Sequence, residues 1–182
     1  VYGIRWTTNA QWVMVVIEYV VVIGFSVGGI IKVALQHPLH SLSFSWSWMN
    51  PFALHGWSAV AQGLALGVFF FWGWDTALNL NEESKDSSRT PGRAALLSMW
   101  LLLFVFVLNV VAAEMLLGPW AIAGHGENML FFFGQQLAGS WAGYVMVFAV
   151  LTSTVATTQT TLLPAARITY SMARDGVFPK LF

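Results

Sequence analysis

Residues 68–76 read VFFFWGWDT, and two of them sit oddly in so apolar a run. Gly73 weakens a helix interior by about 1 kcal/mol relative to alanine. Asp75, if ionised near the middle of a bilayer, costs at least ~2.5 kcal/mol. Together they predict a helix that opens at Gly73 toward a polar cavity. Carbonyls freed there can bind a cation or ammonium, and a half-helix N-terminus can take a carboxylate. The other reading is a continuous helix, with Gly73 a packing notch and Asp75 hydrogen-bonded to a neighbour.

Two further stretches carry chemistry. Glu18 stands in NAQWVMVVIEYVVV, about two turns past Asn9. An acid at that depth is either a functional group or one half of a structural hydrogen bond or interhelical pair. Near the other end, FAVLTSTVATTQTTLLPAAR is unusually rich in hydroxyls. Thr152, Ser153, Thr154, Thr157 and Thr158 offer oxygen ligands of the kind a hard cation takes. Helical Ser and Thr also bond back to the carbonyl one turn earlier, which would account for them without an ion.

The elements that must position these residues are long and apolar. Of 182 residues 57% are hydrophobic and 9% charged, against about 25% charged in soluble domains. Four apolar segments, at about 10–35, 57–80, 94–117 and 140–167, each suit a hydrocarbon core of ~30 Å. An all-α, polytopic integral membrane protein is therefore expected, with membrane lipid around it. A β-barrel would show short alternating strands instead. The segments are joined by 36–56, 81–93 and 118–139. Gly24-x-x-x-Gly28 and Gly63-x-x-x-Gly67 are expected to permit close helix contacts. The chain opens Val1-Tyr2-Gly3 and is expected to be an internal stretch of a longer protein.

Basic residues set the orientation. Arg5 precedes the first segment, Lys85, Arg89 and Arg93 lie between the second and third, and Arg167, Arg174 and Lys180 close the fourth. The positive-inside rule puts both ends of the chain and loop 81–93 in the cytoplasm. Lys32, near the outer end of the first segment, can snorkel. Trp46, Trp48, Trp57, Trp120 and Trp141 would then mark the outer interface, and Trp6 and Trp12 the inner one.

Two motifs resemble one family. FFFWGWDTALNLNEESKDSSRTPGRA is similar to the sixth helix and following loop of the amino acid–polyamine–organocation (APC) superfamily. ARITYSMARDGVFPKLF resembles the segment that closes that family's eighth helix. The resemblance implies helices five to eight of about twelve, in a leucine-transporter-like inverted-repeat bundle of the cytoplasmic membrane, completed by the remaining helices of the same parent chain. It implies substrate binding at Phe69, Phe70, Phe71, Gly73, Trp74 and Asp75, with Phe69 as gate. Many relatives carry glutamate where this chain has Asp75. By the same resemblance AVLTSTVA places the Ala149 carbonyl and the Thr152 and Ser153 hydroxyls on a coupling sodium ion. Glu82, Glu83, Lys85 and Arg93 would hold an inner gate through charge pairs. Some proton-coupled relatives use a fifth-helix lysine in place of the sodium. The inner half of that segment has none here.

The expected function is secondary transport of an amino acid or amine by alternating access. The driving force is expected to be a sodium or proton gradient or a counter-substrate, with sodium or a proton as the possible coupling ion and no other cofactor. A non-transporting helical subunit is the alternative, although it has no need of Gly73-Trp74-Asp75. The chain has no net charge, which gives no reason for a nucleic-acid partner. It has no cysteine, hence no thiolate metal site. A membrane-embedded enzyme would need acids or histidines clustered at one depth, and Glu18 and Asp75 form no such constellation.

Overall fold

The computed structural model describes residues 2–53, 56–71, 73 and 89–177. Regular structure among them is helical: α1 (Tyr2–Gln36), α2 (Trp57–Phe70), α3 (Thr90–Gly124), α4 (Met129–Ala138) and α5 (Ser140–Arg174), with short 3₁₀ turns between. Stretches Asn9–Gln36, Thr90–Gly124 and Ser140–Arg174 are long and apolar enough to cross a membrane. The chain divides into two compact units, one of residues 1–25 and 127–182, the other of residues 26–126.

The first unit is built on a helical hairpin of α4 and α5. Gly139 turns it: its φ of 91° is unfavourable for residues with a Cβ, and its N–H bonds the Gln135 carbonyl at 2.8 Å. Phe133 and Met146 fill the seam and are fully buried. Small residues allow the close approach, since a Cβ on Gly134 would lie 2.7 Å from the Ala142 carbonyl oxygen. The sequence pattern treats 118–139 as a connector. Ten helical residues are too short to register as a membrane span, so α4 is invisible to a window of ~20 residues.

In the second unit α3 runs beyond the apolar segment that predicts it. It kinks at Gly118, whose φ is 73°, followed by Pro119. Proline has no N–H, so the Met115 carbonyl four residues earlier loses its helical partner. The N–H of Leu42 replaces it at 2.8 Å. Leu42→Pro is expected to destabilise the protein by about 1–3 kcal/mol, the cost of an unsatisfied buried acceptor. Leu42→Ala keeps the N–H and should cost less, a difference visible in the thermal unfolding midpoint.

Pro91 starts α3 where its missing N–H costs nothing. Trp12, Val16 and Val20 of α1, and Leu97, Trp100 and Phe104 of α3, point outward. Apolar faces of that extent suit lipid or further helices.

Candidate functional site

The chain leaves helical geometry at the position where its sequence has a glycine and an acid. Helix α2 ends at Phe70, about 21 Å from its start and short of a full ~30 Å crossing. The Phe71 N–H closes the last turn on the Gly67 carbonyl at 3.2 Å. Gly73 then takes a φ of 101°, so no helix runs through it, and nothing lies within 4 Å of where its Cβ would be. Conformation, not space, requires glycine here.

The three phenylalanines part company at this end. Phe70 and Phe71 set their rings 5.7 and 6.0 Å from that of Phe106 on α3. Phe69 is 68% exposed. A cleft of about 720 Å³ opens beside them, lined by Phe44, Trp48, Phe70, Phe71, Phe106 and Glu114 among others. Sequence reasoning gives Phe106 and Glu114 no role, although an acid in so apolar a helix is itself a signal. Trp74, Asp75, Glu82, Glu83 and Lys85 lie outside the described residues. Arg93 is exposed in the first turn of α3, where the helix dipole disfavours a cation by about 0.3–1 kcal/mol.

A second constellation joins α1 to α5. The Ser153 hydroxyl donates to Glu18 Oε1 at 2.9 Å. One residue earlier, the Thr152 hydroxyl donates to the Ala149 carbonyl at 2.8 Å. Residues three and four apart share a helix face, which brings Ala149, Thr152 and Ser153 together. A cleft of about 420 Å³ runs past Glu18, Ala149, Ser153, Thr154, Thr157 and Thr158, with Leu130 of α4 also in its wall. Among its described lining residues Glu18 is the only charged one.

Most of the hydroxyls on α5 are engaged within their own helix. Thr154, Thr158, Thr160, Thr161 and Thr169 bond back to carbonyls three or four positions earlier. Ser153 reaches across to another helix. The described residues contain no group of three His, Cys, Asp or Glu able to hold a transition metal.

A family model described as Amino acid permease matches residues 1–182, from one end of the chain to the other. The chain belongs to the amino acid permease family. The APC resemblance of its two motifs is thereby supported along the full sequence. This permease chain is 25% identical over 187 residues to the mouse Asc-type amino acid transporter 1, covering 97% of the chain and 33% of that protein. It is 28% identical to the methylthioribose transporter of Bacillus subtilis, covering 99% of the chain and 36% of that protein. With the mouse cationic amino acid transporter 4 it shares 26% identity over 93% of its own length and 24% of the other's. The chain thus spans about a third of the length of the curated relatives it matches first. No solved structure matches it significantly.

Family and helices together make the permease a multi-pass integral membrane protein. Among the described residues nothing lies within 4 Å of a Cβ built on Gly24, Gly63 or Gly67. Among the described residues, tight contacts fall at Gly134 and at Gly143, the second glycine of Gly139-x-x-x-Gly143.

Proposed function

We propose that this chain forms helices five to eight of a permease that moves an amino acid or amine by alternating access. The rest of a leucine-transporter-like inverted repeat lies elsewhere in the same polypeptide. The observation that carries the reading is the end of α2 at Phe70 with a left-handed Gly73, in a chain matched throughout by the permease family. Exposed backbone at such a point binds the charged groups of a small zwitterion or ammonium. Phe69, free of Phe106, gates that site, and Asp75 tunes its charge. Ala149, Thr152 and Ser153 hold the coupling ion. Arg93 pairs with the acids of loop 81–93 to close the cytoplasmic side, where both ends of the chain lie. Relatives named for amino acids, cationic amino acids and methylthioribose set the substrate range to be tried.

The test is radiolabelled uptake by proteoliposomes containing the complete permease, with a panel of amino acids, polyamines and methylthioribose. Sodium and pH gradients are imposed separately. One compound class is expected to accumulate, with Asp75→Asn lowering uptake by about tenfold or more, as loss of a charge at membrane depth implies. Thr152→Ala is expected to weaken the dependence on the gradient. A correctly folded permease that moves none of the panel under any gradient overturns the reading.

A further inference from the structure

The cleft of about 720 Å³ beside the end of α2 has all its described lining residues in the second unit. Small-molecule sites have volumes of roughly 300–1,000 Å³ and are apolar, with a few polar groups that fix the ligand's orientation. Here the polar groups are very few. Among the described lining residues Glu114 is the only charged one, and the Trp48 indole is the only side chain besides it that carries a hydrogen-bonding N–H or O–H.

Aromatic rings make two of the walls. Phe70 and Phe71 meet Phe106 at 5.7 and 6.0 Å on the helical side. Phe44 packs edge-on against Trp48 at 5.8 Å on the loop side. The loop is pinned beside the acid, because the Leu42 N–H bonds the carbonyl of Met115, the residue after Glu114, at 2.8 Å. Trp48 is held in the 3₁₀ turn Trp46–Met49, where the Ser45 hydroxyl oxygen accepts from the Ser47 N–H at 3.3 Å. Walls fixed in advance lower the ordering cost of binding. Phe106, Val110 and Glu114 recur at four-residue intervals and so share one stripe of α3. That stripe is about 12 Å long at 1.5 Å per residue.

An ionised carboxylate in so apolar a setting is costly without a positive partner. The described wall supplies no lysine, arginine or histidine. Aromatic faces carry negative potential and attract cations. A neutral apolar guest would leave the carboxylate unmatched, and an anion would be repelled by it. An ammonium on an apolar body on the order of 10 Å long satisfies the carboxylate, the rings and the length of the stripe.

We propose that this cleft binds a hydrophobic organic ammonium, with its charge on Glu114 and its apolar body among Phe44, Trp48 and Phe106. The site is additional to the α2 break, and Phe69 is not among its described lining residues. One consequence rests on the permease reading: an occupant between α2 and α3 favours the arrangement seen here and slows any cycle in which the two part. Binding itself does not depend on that reading.

The experiment is calorimetric titration of the purified complete permease in detergent at about pH 7, where an alkylamine is protonated. Heats from empty micelles are subtracted. The probes are tryptamine, its uncharged analogue tryptophol and the anionic indolepropionate. Tryptamine is expected to bind saturably, tryptophol about tenfold more weakly and indolepropionate more weakly still. Glu114→Gln should bring tryptamine down to the affinity of tryptophol while leaving tryptophol unchanged. Phe106→Ala should weaken both. Thr169→Ala, which loses only a bond back to Ala165, serves as control. No saturable tryptamine binding, or equal binding of tryptamine and tryptophol, overturns the proposal. So does a Glu114→Gln protein that keeps the wild-type preference. Tryptamine binding lost in Asp75→Asn but kept in Glu114→Gln would put the amine at the α2 break and overturn it too. If Glu114→Gln does not fold, the wild-type ranking and the Phe106→Ala result decide. A protein that moves no substrate yet shows the ranking and its loss in Glu114→Gln would sink the permease reading alone. Normal uptake without a tryptamine site would sink only the cleft.

Discussion

Gly134→Ala is expected to destabilise the permease by about 1–3 kcal/mol, although alanine is the better helix former by about 1 kcal/mol. The added methyl would lie 2.7 Å from the Ala142 carbonyl oxygen, 2.8 Å from its carbon and 2.9 Å from the Gly143 Cα. All three are backbone atoms, so no side chain can swing aside, and α4 must move away from α5. Phe133, fully buried beside it, would lose packing as the helices part. Gly143→Ala meets the same seam from the other helix, 2.7 Å from a Phe131 ring carbon and 2.8 Å from the Phe131 carbonyl oxygen. Because one separation of the helices relieves both clashes, the double variant should cost less than the sum of the two single ones. Thermal unfolding of the four proteins in detergent measures this directly. A rise in stability for Gly134→Ala, or strict additivity, would mean the hairpin is not packed through these glycines.

The same seam marks where sequence reasoning ran short. Long apolar runs announce α1, α3 and α5 because hydropathy is a local property. Helix α4 is local too, but at ten residues it falls below the length that distinguishes a membrane span. Glycine spacing alone does not say which notch is used, because that depends on what faces it. Among the described residues a Cβ on Gly63 or Gly67 meets nothing within 4 Å, while one on Gly143, equally spaced from Gly139, meets Phe131. The hydroxyl helix repeats the lesson. Composition alone leaves back-bonding and ligation both open, and only the placement of Glu18 beside Ser153, 135 positions apart, separates one hydroxyl from its neighbours. The end of α2 was more legible, since Gly73 beside Asp75 conflicts with an uninterrupted membrane helix whatever surrounds it.

At Gly73 the expected result depends on conformation and not on volume. Its φ of 101° is one that residues with a Cβ rarely adopt, yet a Cβ there would touch nothing within 4 Å. Gly73→Ala therefore should leave the protein folded and monodisperse while straining the segment after α2 by about 1–2 kcal/mol. If that segment forms the substrate site only in its present shape, the strain appears as an uptake loss of roughly 5- to 30-fold. Ordering among variants separates this account from a steric one. Asparagine tolerates positive φ better than alanine, and β-branched valine tolerates it worst. The expected order of uptake is glycine, then Gly73→Asn, then Gly73→Ala, then Gly73→Val. A site limited by space would rank Gly73→Ala above Gly73→Asn, because alanine is the smaller. Uptake kinetics of the three variants in proteoliposomes distinguish the two orders. Alanine above asparagine would mean that the region around Gly73 closes more tightly during transport than it does here.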